Sequence, residues 1–142
     1  LAAGTALAMR ALAPRCRLLL AEPAGAADTA RSLAADALDV EMVPDTVCDG
    51  LRGTLGGINF RLLRDARAEV VVLDDADTVR AMRLLWGRCK QLVEPSSAIA
   101  LAAVLARPDL FAGKRVGIVL SGGNLDLDAL PALFAHAMEA HA

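Results

Sequence analysis

The chain has 142 residues, of which 56% are hydrophobic and only 3% aromatic, which suits one domain around an aliphatic core. With 23% charged residues and a formal net charge of -2, it lacks the basic footprint that nucleic acid or an anionic membrane surface would demand. Its three cysteines, Cys16, Cys48 and Cys89, are widely spaced with no C-x-x-C pair, which argues against a disulfide framework or a zinc site and suits a reduced cytoplasm.

The alanines and leucines of residues 2–12 predict a helix that Pro14 stops. Arg10, Arg15 and Arg17 interrupt this opening, so it is not a secretion signal, and no stretch reaches the roughly 18 apolar residues of a spanning helix. The chain begins at Leu1, inside that helix and without an initiator methionine, and so reads as a piece of a longer protein. "CRLLLAEP" (residues 16–23) predicts a short buried strand, and Asp28 or Thr29 a helix cap for residues up to about Ala35. After a loop carrying Pro44, Gly50, Gly53, Gly56 and Gly57, "NFRLLRDA" (59–66) reads as a helix and "EVVVLD" (69–74) as a strand.

In residues 76–92, Val79, Met82, Leu85, Trp86 and Cys89 recur at three- and four-residue steps, which predicts one amphipathic helix with these side chains on its buried face. "PSSAIALAAVLA" (95–106) has proline at a helix start and is apolar all round, so burial on all sides is predicted. "KRVGIVLSG" reads as the last strand and residues 127–140 as a closing helix. Apolar strands alternating with helices predict an α/β fold, a parallel sheet with helices on both faces. Ligands of such sheets bind beyond the strands' carboxyl ends, which singles out Ser121, Gly122, Gly123 and Asn124.

Taken alone, "SGGN" could be a plain strand-to-helix turn. "LSGGN" also resembles the signature loop of ATP-binding cassette proteins, but the G-x-x-x-x-G-K-[ST] cradle of such chains is absent, as is the dinucleotide fingerprint G-x-G-x-x-G at a strand-to-helix turn. Three strings, "TVCDGLRGTLGGINFRLLRD", "AMRLLWGRCKQLVEPSSAIALAAVL" and "VGIVLSGGNLDL", stand in order behind "AEPAGAADTARSL". Together they resemble the C-terminal half of the fold type II pyridoxal-phosphate enzymes (tryptophan synthase β-like), in particular the serine/threonine dehydratase and serine racemase group.

The resemblance implies that residues 1–142 are the C-terminal portion of the large cofactor-binding domain. In that family a serine at the position of Ser121 hydrogen-bonds the pyridine nitrogen. A hydroxyl can donate to a neutral nitrogen without giving up its proton, which makes the ring a milder electron sink than an aspartate would. Gly50 matches a glycine lying against the ring face, and Glu94 a glutamate near the ring, although beside Pro95 it could equally be a helix-start carboxylate. Gly122 and Asn124 complete the implied cofactor contacts. Glu22, Ala26 and Asp28 match a site that in some members binds magnesium or calcium through oxygen ligands, while Asp28 could instead only cap its helix. Cys48 reads as a small core or loop side chain, and His136 and His141 as solvent-facing.

The family's Schiff-base lysine belongs to an N-terminal segment that these residues do not match. Lys90, late in a helix, and Lys114, before a strand, lack the matching context, so no catalytic lysine is assigned and the chain alone is expected to be inactive. For the parent the resemblance implies a homodimeric dehydratase releasing ammonia and a 2-oxo acid from serine or threonine, with racemisation as a sibling activity. An alternative is a non-catalytic interaction module, or one half of a split enzyme.

Overall fold

A computed structural model describes residues 1–139, with side chains described through residue 135. The predicted solvent-facing positions of His136 and His141 therefore lie outside the described side chains. Helix α1 spans Ala2–Leu12, β1 Leu19–Pro23, α2 Asp28–Ala35, α3 Gly57–Asp65, β2 Glu69–Leu73, α4 Asp75–Leu84 and α5 Pro95–Ala106. A short α6 (Pro108–Phe111) and α7 (Leu130–Glu139) follow, with 3-10 turns at Ala24–Ala26, Asp49–Leu51 and Leu127–Ala129. No helix among the described residues is long and apolar enough to cross a membrane.

The two strands pair in parallel, from Leu19 opposite Glu69 to Pro23 opposite Leu73. A bidentate ion pair between Arg17 and Glu69 sits at the start of this ladder, exposed and so of little energetic weight. Alternation along the strands sets the layers. Val71 and Leu73 face Ile99, Ala102 and Ala103 of α5, with Leu19 and Ala21 packed alongside. On the other face, Glu22 reaches the first turn of α2. Helices thus flank both sides of the parallel sheet, as the apolar strands predict. Cover is incomplete, however, because Val72 is 44% exposed.

Helices α4 and α5 pack against each other, burying Met82, Leu85, Val93 and Ala98 in a second cluster that Leu125, Leu130, Leu133 and Phe134 extend toward α7. Trp86 meets Phe134 edge to face at 6.2 Å, and the Arg83 guanidinium lies 5.1 Å from the same ring. Burying a leucine such as Leu63 of α3, which packs beneath α1, contributes about 2 kcal/mol.

Several expectations are corrected. The predicted helix over 76–92 breaks at Leu84, where a π turn over Leu85–Cys89 ends on Lys90 in the left-handed region. The wider turn rotates Cys89 off the apolar face, and it is exposed. The last turn of α5 emerges from the core, leaving Leu105 exposed, so that helix is not buried on all sides. Residues 127–129 form a 3-10 turn rather than the start of the closing helix. Neither Asp28 nor Thr29 caps α2; instead the Glu22 carboxylate, arriving from β1, accepts from the Thr29 and Ala30 amides.

The largest departure is "KRVGIVLSG", which forms no strand. The described sheet has only β1 and β2, so residues 116–120 have no ladder to join, and Val116, Ile118, Val119 and Leu120 are exposed. Apolar strand propensity is not enough where the pairing partner is missing.

Gly25 marks a close crossing of two backbones: its carbonyl accepts from the Asp45 amide, and a Cβ on it would fall 1.7 Å from the Asp45 carbonyl oxygen. Gly25→Ala should therefore destabilise the chain by about 2 kcal/mol or more in urea titrations. Gly4→Ala, in α1 with nothing near the new methyl, should be neutral or stabilising by up to about 1 kcal/mol.

Candidate functional site

The loop bearing Gly50 is tied to the carboxyl end of β2. Asp75, in the first turn of α4, accepts from the Thr46 hydroxyl at 2.6 Å and from the Val47 amide at 2.8 Å. Thr46 in turn accepts from the Cys48 amide, while Arg52 donates to the Thr46 carbonyl. The 3-10 turn Asp49–Leu51 then presents Gly50 to the start of α5, where the Gly50 amide donates to the Ser96 hydroxyl at 3.0 Å.

The same helix start holds the "SGGN" segment. The Glu94 amide donates to the Gly122 carbonyl, and the Glu94 carboxylate accepts from the Asn124 amide at 2.7 Å. Pro95 directs the chain into α5 from Glu94, whose backbone is extended. The glycines have a steric cause here: a Cβ on Gly122 would lie 2.3 Å from the Glu94 carboxylate, and one on Gly123 2.8 Å from the Leu92 carbonyl.

Gly50, Glu94, Gly122 and the backbone of Asn124 are thus brought together, with Ser121 next to them in the chain. A Cβ on Gly50 would meet Ser96 at 3.1 Å before reaching the Glu94 carboxylate at 3.8 Å. Ser121 is exposed, and its hydroxyl has no hydrogen-bond partner among the described residues. It is not sealed beneath aliphatic neighbours. An unengaged hydroxyl is a donor suited to a ring nitrogen, while the space at Gly50 and Gly122 is taken by Ser96 and Glu94. The positions that sequence reasoning missed are Thr46, Asp75, Ser96 and Ser97. Only "TVCDG" and "VEPSS" hinted at them, without saying which backbone each hydroxyl would meet.

Glu22 and Asp28 also come together, and three of their four carboxylate oxygens accept backbone amides. Both Glu22 oxygens take α2 amides, and Asp28, 2% exposed, accepts from the Leu55 amide at 2.6 Å. Burial pushes the Glu22 carboxyl above its ordinary range; hydrogen bonds from Thr29 and Ala30 oppose this, and the charge of Asp28 adds to it. No set of three or more His, Cys, Asp or Glu side chains suited to a metal exists among the described residues. Glu22, Ala26 and Asp28 frame the start of α2, with both Glu22 oxygens accepting its amides.

Of the two lysines, Lys90 donates to the Gly87 carbonyl of its own turn and Lys114 is exposed. Cys48 is buried, which pushes its thiol up to about 12, with the charge of Asp75 adding to the effect of burial. It is a core side chain rather than a nucleophile. An aromatic disulfide reagent at mildly alkaline pH should therefore modify Cys16 and Cys89 in the native chain, and Cys48 only after denaturation; absorbance of the released thiolate counts them.

Residues 1–122 match the family described as "Pyridoxal-phosphate dependent enzyme". The chain is 42% identical over 128 residues to a beta-hydroxyaspartate dehydratase of Paracoccus denitrificans, covering 90% of this chain and 41% of that protein. The solved structure of maize serine racemase superposes with a TM-score of 0.84 at 38% identity, covering 99% of this chain and 44% of that one. That of a serine racemase from Dictyostelium discoideum gives 0.81 at 38% identity, covering 89% and 41%. The chain thus spans less than half the length of these relatives. With its parallel α/β architecture and the match over most of its length, it belongs to the fold type II family of pyridoxal-phosphate dependent enzymes.

Proposed function

We propose that this chain is the ring-nitrogen side of a pyridoxal-phosphate dependent dehydratase whose parent reaction is β-elimination of L-serine or L-threonine to a 2-oxo acid and ammonia. The observation that carries this reading is the exposed Ser121 hydroxyl, without a hydrogen-bond partner among the described residues and next to the joined Gly50 and Gly122 loops. When bound, pyridoxal phosphate supplies the electron sink that weakens the Cα–H bond of an amino acid.

The remaining roles belong to this chain's residues. Ser121 would donate a hydrogen bond to the ring nitrogen while keeping its own proton, which would leave the nitrogen neutral and the electron withdrawal moderate. Gly50 and Gly122 let the Ser96 hydroxyl and the Glu94 carboxylate approach the backbone beside Ser121. Glu94 holds the Gly122–Asn124 backbone in place through an amide and a carboxylate contact. Lys90 and Lys114 have no setting for covalent attachment or for removing the Cα proton, so in this reading the lysine comes from a part of the parent that this chain does not span, the relatives being longer than the matched region. Alone, the chain is inactive in this reading.

Serine racemisation is the second reading, supported by the likeness to the maize enzyme. The choice between them lies with the acid and base on the two faces of the substrate, which these residues do not supply. The exposed 116–120 segment supports a role as one half of a two-part assembly.

The test pairs the chain with a lysine-bearing N-terminal portion of the maize relative, adds pyridoxal phosphate, and follows 2-oxo acid, ammonia and D-serine from L-serine and L-threonine. Equal oxo acid and ammonia are expected from the pair and none from the chain alone. Ser121→Ala should lower kcat/KM roughly tenfold, the effect of one hydrogen bond of about 1.4 kcal/mol. D-serine without oxo acid would favour the racemase, and a cofactor-loaded pair that turns over neither amino acid would sink both readings.

A further inference from the structure

At the amino ends of the two strands, away from the Gly50 loop, a cleft of 340 Å³ lies between the C-terminal ends of α1 and α3. Ala6, Met9 and Leu18 give it an apolar lining, beside the charged side chains of Arg10, Arg17, Asp65, Arg67 and Glu69. These charges do not cancel. Arg17 and Glu69 neutralise each other through their bidentate pair, and Asp65 has the Arg64 guanidinium at 3.6 Å. The guanidinium groups of Arg10 and Arg67 have no ion pair or hydrogen bond among the described residues. Two cations are thus left unmatched at one end of a chain whose net charge is -2.

Neither cation is spent on ending its helix. The Met9 carbonyl of α1 is taken by the Ala13 amide, and at α3 the Leu62, Leu63 and Arg64 carbonyls are taken by the amides of Ala66, Ala68 and Arg67. Arg67 stands in the left-handed region at φ 51°, a helix-ending position that ordinarily favours glycine because a side chain there is strained. Helix termination alone therefore gives no reason for an arginine at this position.

We propose that this cleft binds a short aliphatic dicarboxylate, with Arg10 and Arg67 each taking one carboxylate and Met9 and Leu18 packing on the methylenes between. The planar guanidinium offers two parallel donors that match a carboxylate. A single carboxylate would leave one of the two cations unmatched, and inorganic phosphate would gain nothing from the apolar lining. Because α1 packs on α3, the ligand would also tie the two helix ends together. The site lies at the opposite ends of the strands from the Gly50 loop and is independent of the cofactor reading.

The full chain is titrated with succinate at fixed ionic strength, and the side-chain Nε–H resonances of Arg10 and Arg67 are followed by NMR. Both should shift along one curve, with a dissociation constant on the order of 1 mM. Succinate at about ten times that concentration should raise the melting temperature by roughly 4 °C. Succinamide, of similar shape but uncharged, should not bind, and propionate, with one carboxylate, should bind roughly tenfold more weakly. Cys16 lines the cleft and Cys89 does not, so bound succinate should slow alkylation of Cys16 by iodoacetamide and leave Cys89 unchanged.

Arg67→Gly removes the guanidinium and relieves the left-handed backbone, so affinity should fall roughly tenfold while the melting temperature of the free chain holds or rises. Arg10→Gln makes the same test from α1 and decides the matter if Arg67→Gly fails to fold. Arg115→Gln, exposed and outside the cleft, should leave binding unchanged. Equal binding of succinamide, tighter binding of inorganic phosphate than of succinate, or resonance shifts that sodium chloride alone reproduces would overturn the proposal. Full affinity in either folded cleft variant would overturn it as well.

Discussion

Between the Glu94 carboxylate and the backbone of Gly122 there is no room for even a methyl group. That contact joins the "SGGN" segment to the start of α5, and the rest of the molecule is arranged so that α5 can hold its end of it. Pro95 begins the helix at the residue after the carboxylate. The inner face of α5 closes over Val71 and Leu73, so the helix start inherits the rigidity of the sheet. If α5 tilted, the Gly50 and Gly122 loops would both move, because both are bonded to its first turn.

Several acidic side chains in this chain bind backbone and hold its loops. Glu22 takes two amides of α2, Asp28 one amide before α3, Asp75 an amide and a hydroxyl of the Gly50 loop, and Glu94 an amide of the terminal segment. Charge-assisted acceptors of this kind are stronger than neutral ones. They suit a molecule whose loops must be held without regular secondary structure. With few aromatic residues, loop order here rests on hydrogen bonds more than on large buried side chains.

The elements legible in the sequence are those fixed by local chemistry. Helices α1 and α5 lie where alanine and leucine content and Pro95 put them, and β2 follows its valine run. What was not legible depends on distant partners. The periodicity of α4 continues into residues 85–89, but a π turn cannot be read from spacing alone, and only Gly87 and the left-handed Lys90 mark it afterwards. The cap of α2 comes from Glu22 on the preceding strand, outside the local capping pattern, and the Asp75–Thr46 contact spans 29 positions. Residues 116–120 carry strand propensity whose pairing partner no local pattern reveals. At the candidate site, glycine richness was plain, but its cause at Gly122, a carboxylate from a residue far away in the chain, was not.

The uncovered ribbon of Val116, Ile118, Val119 and Leu120 has Lys114 and Arg115 at its leading end, both exposed. Such a greasy backbone invites cross-molecule pairing, and cations beside it act as gatekeepers. Were two copies to stack side by side in the same direction and in register, their cations would coincide and repel. The electrostatics therefore penalise like-with-like alignment and leave a neighbour of different charge pattern as the better match for this edge.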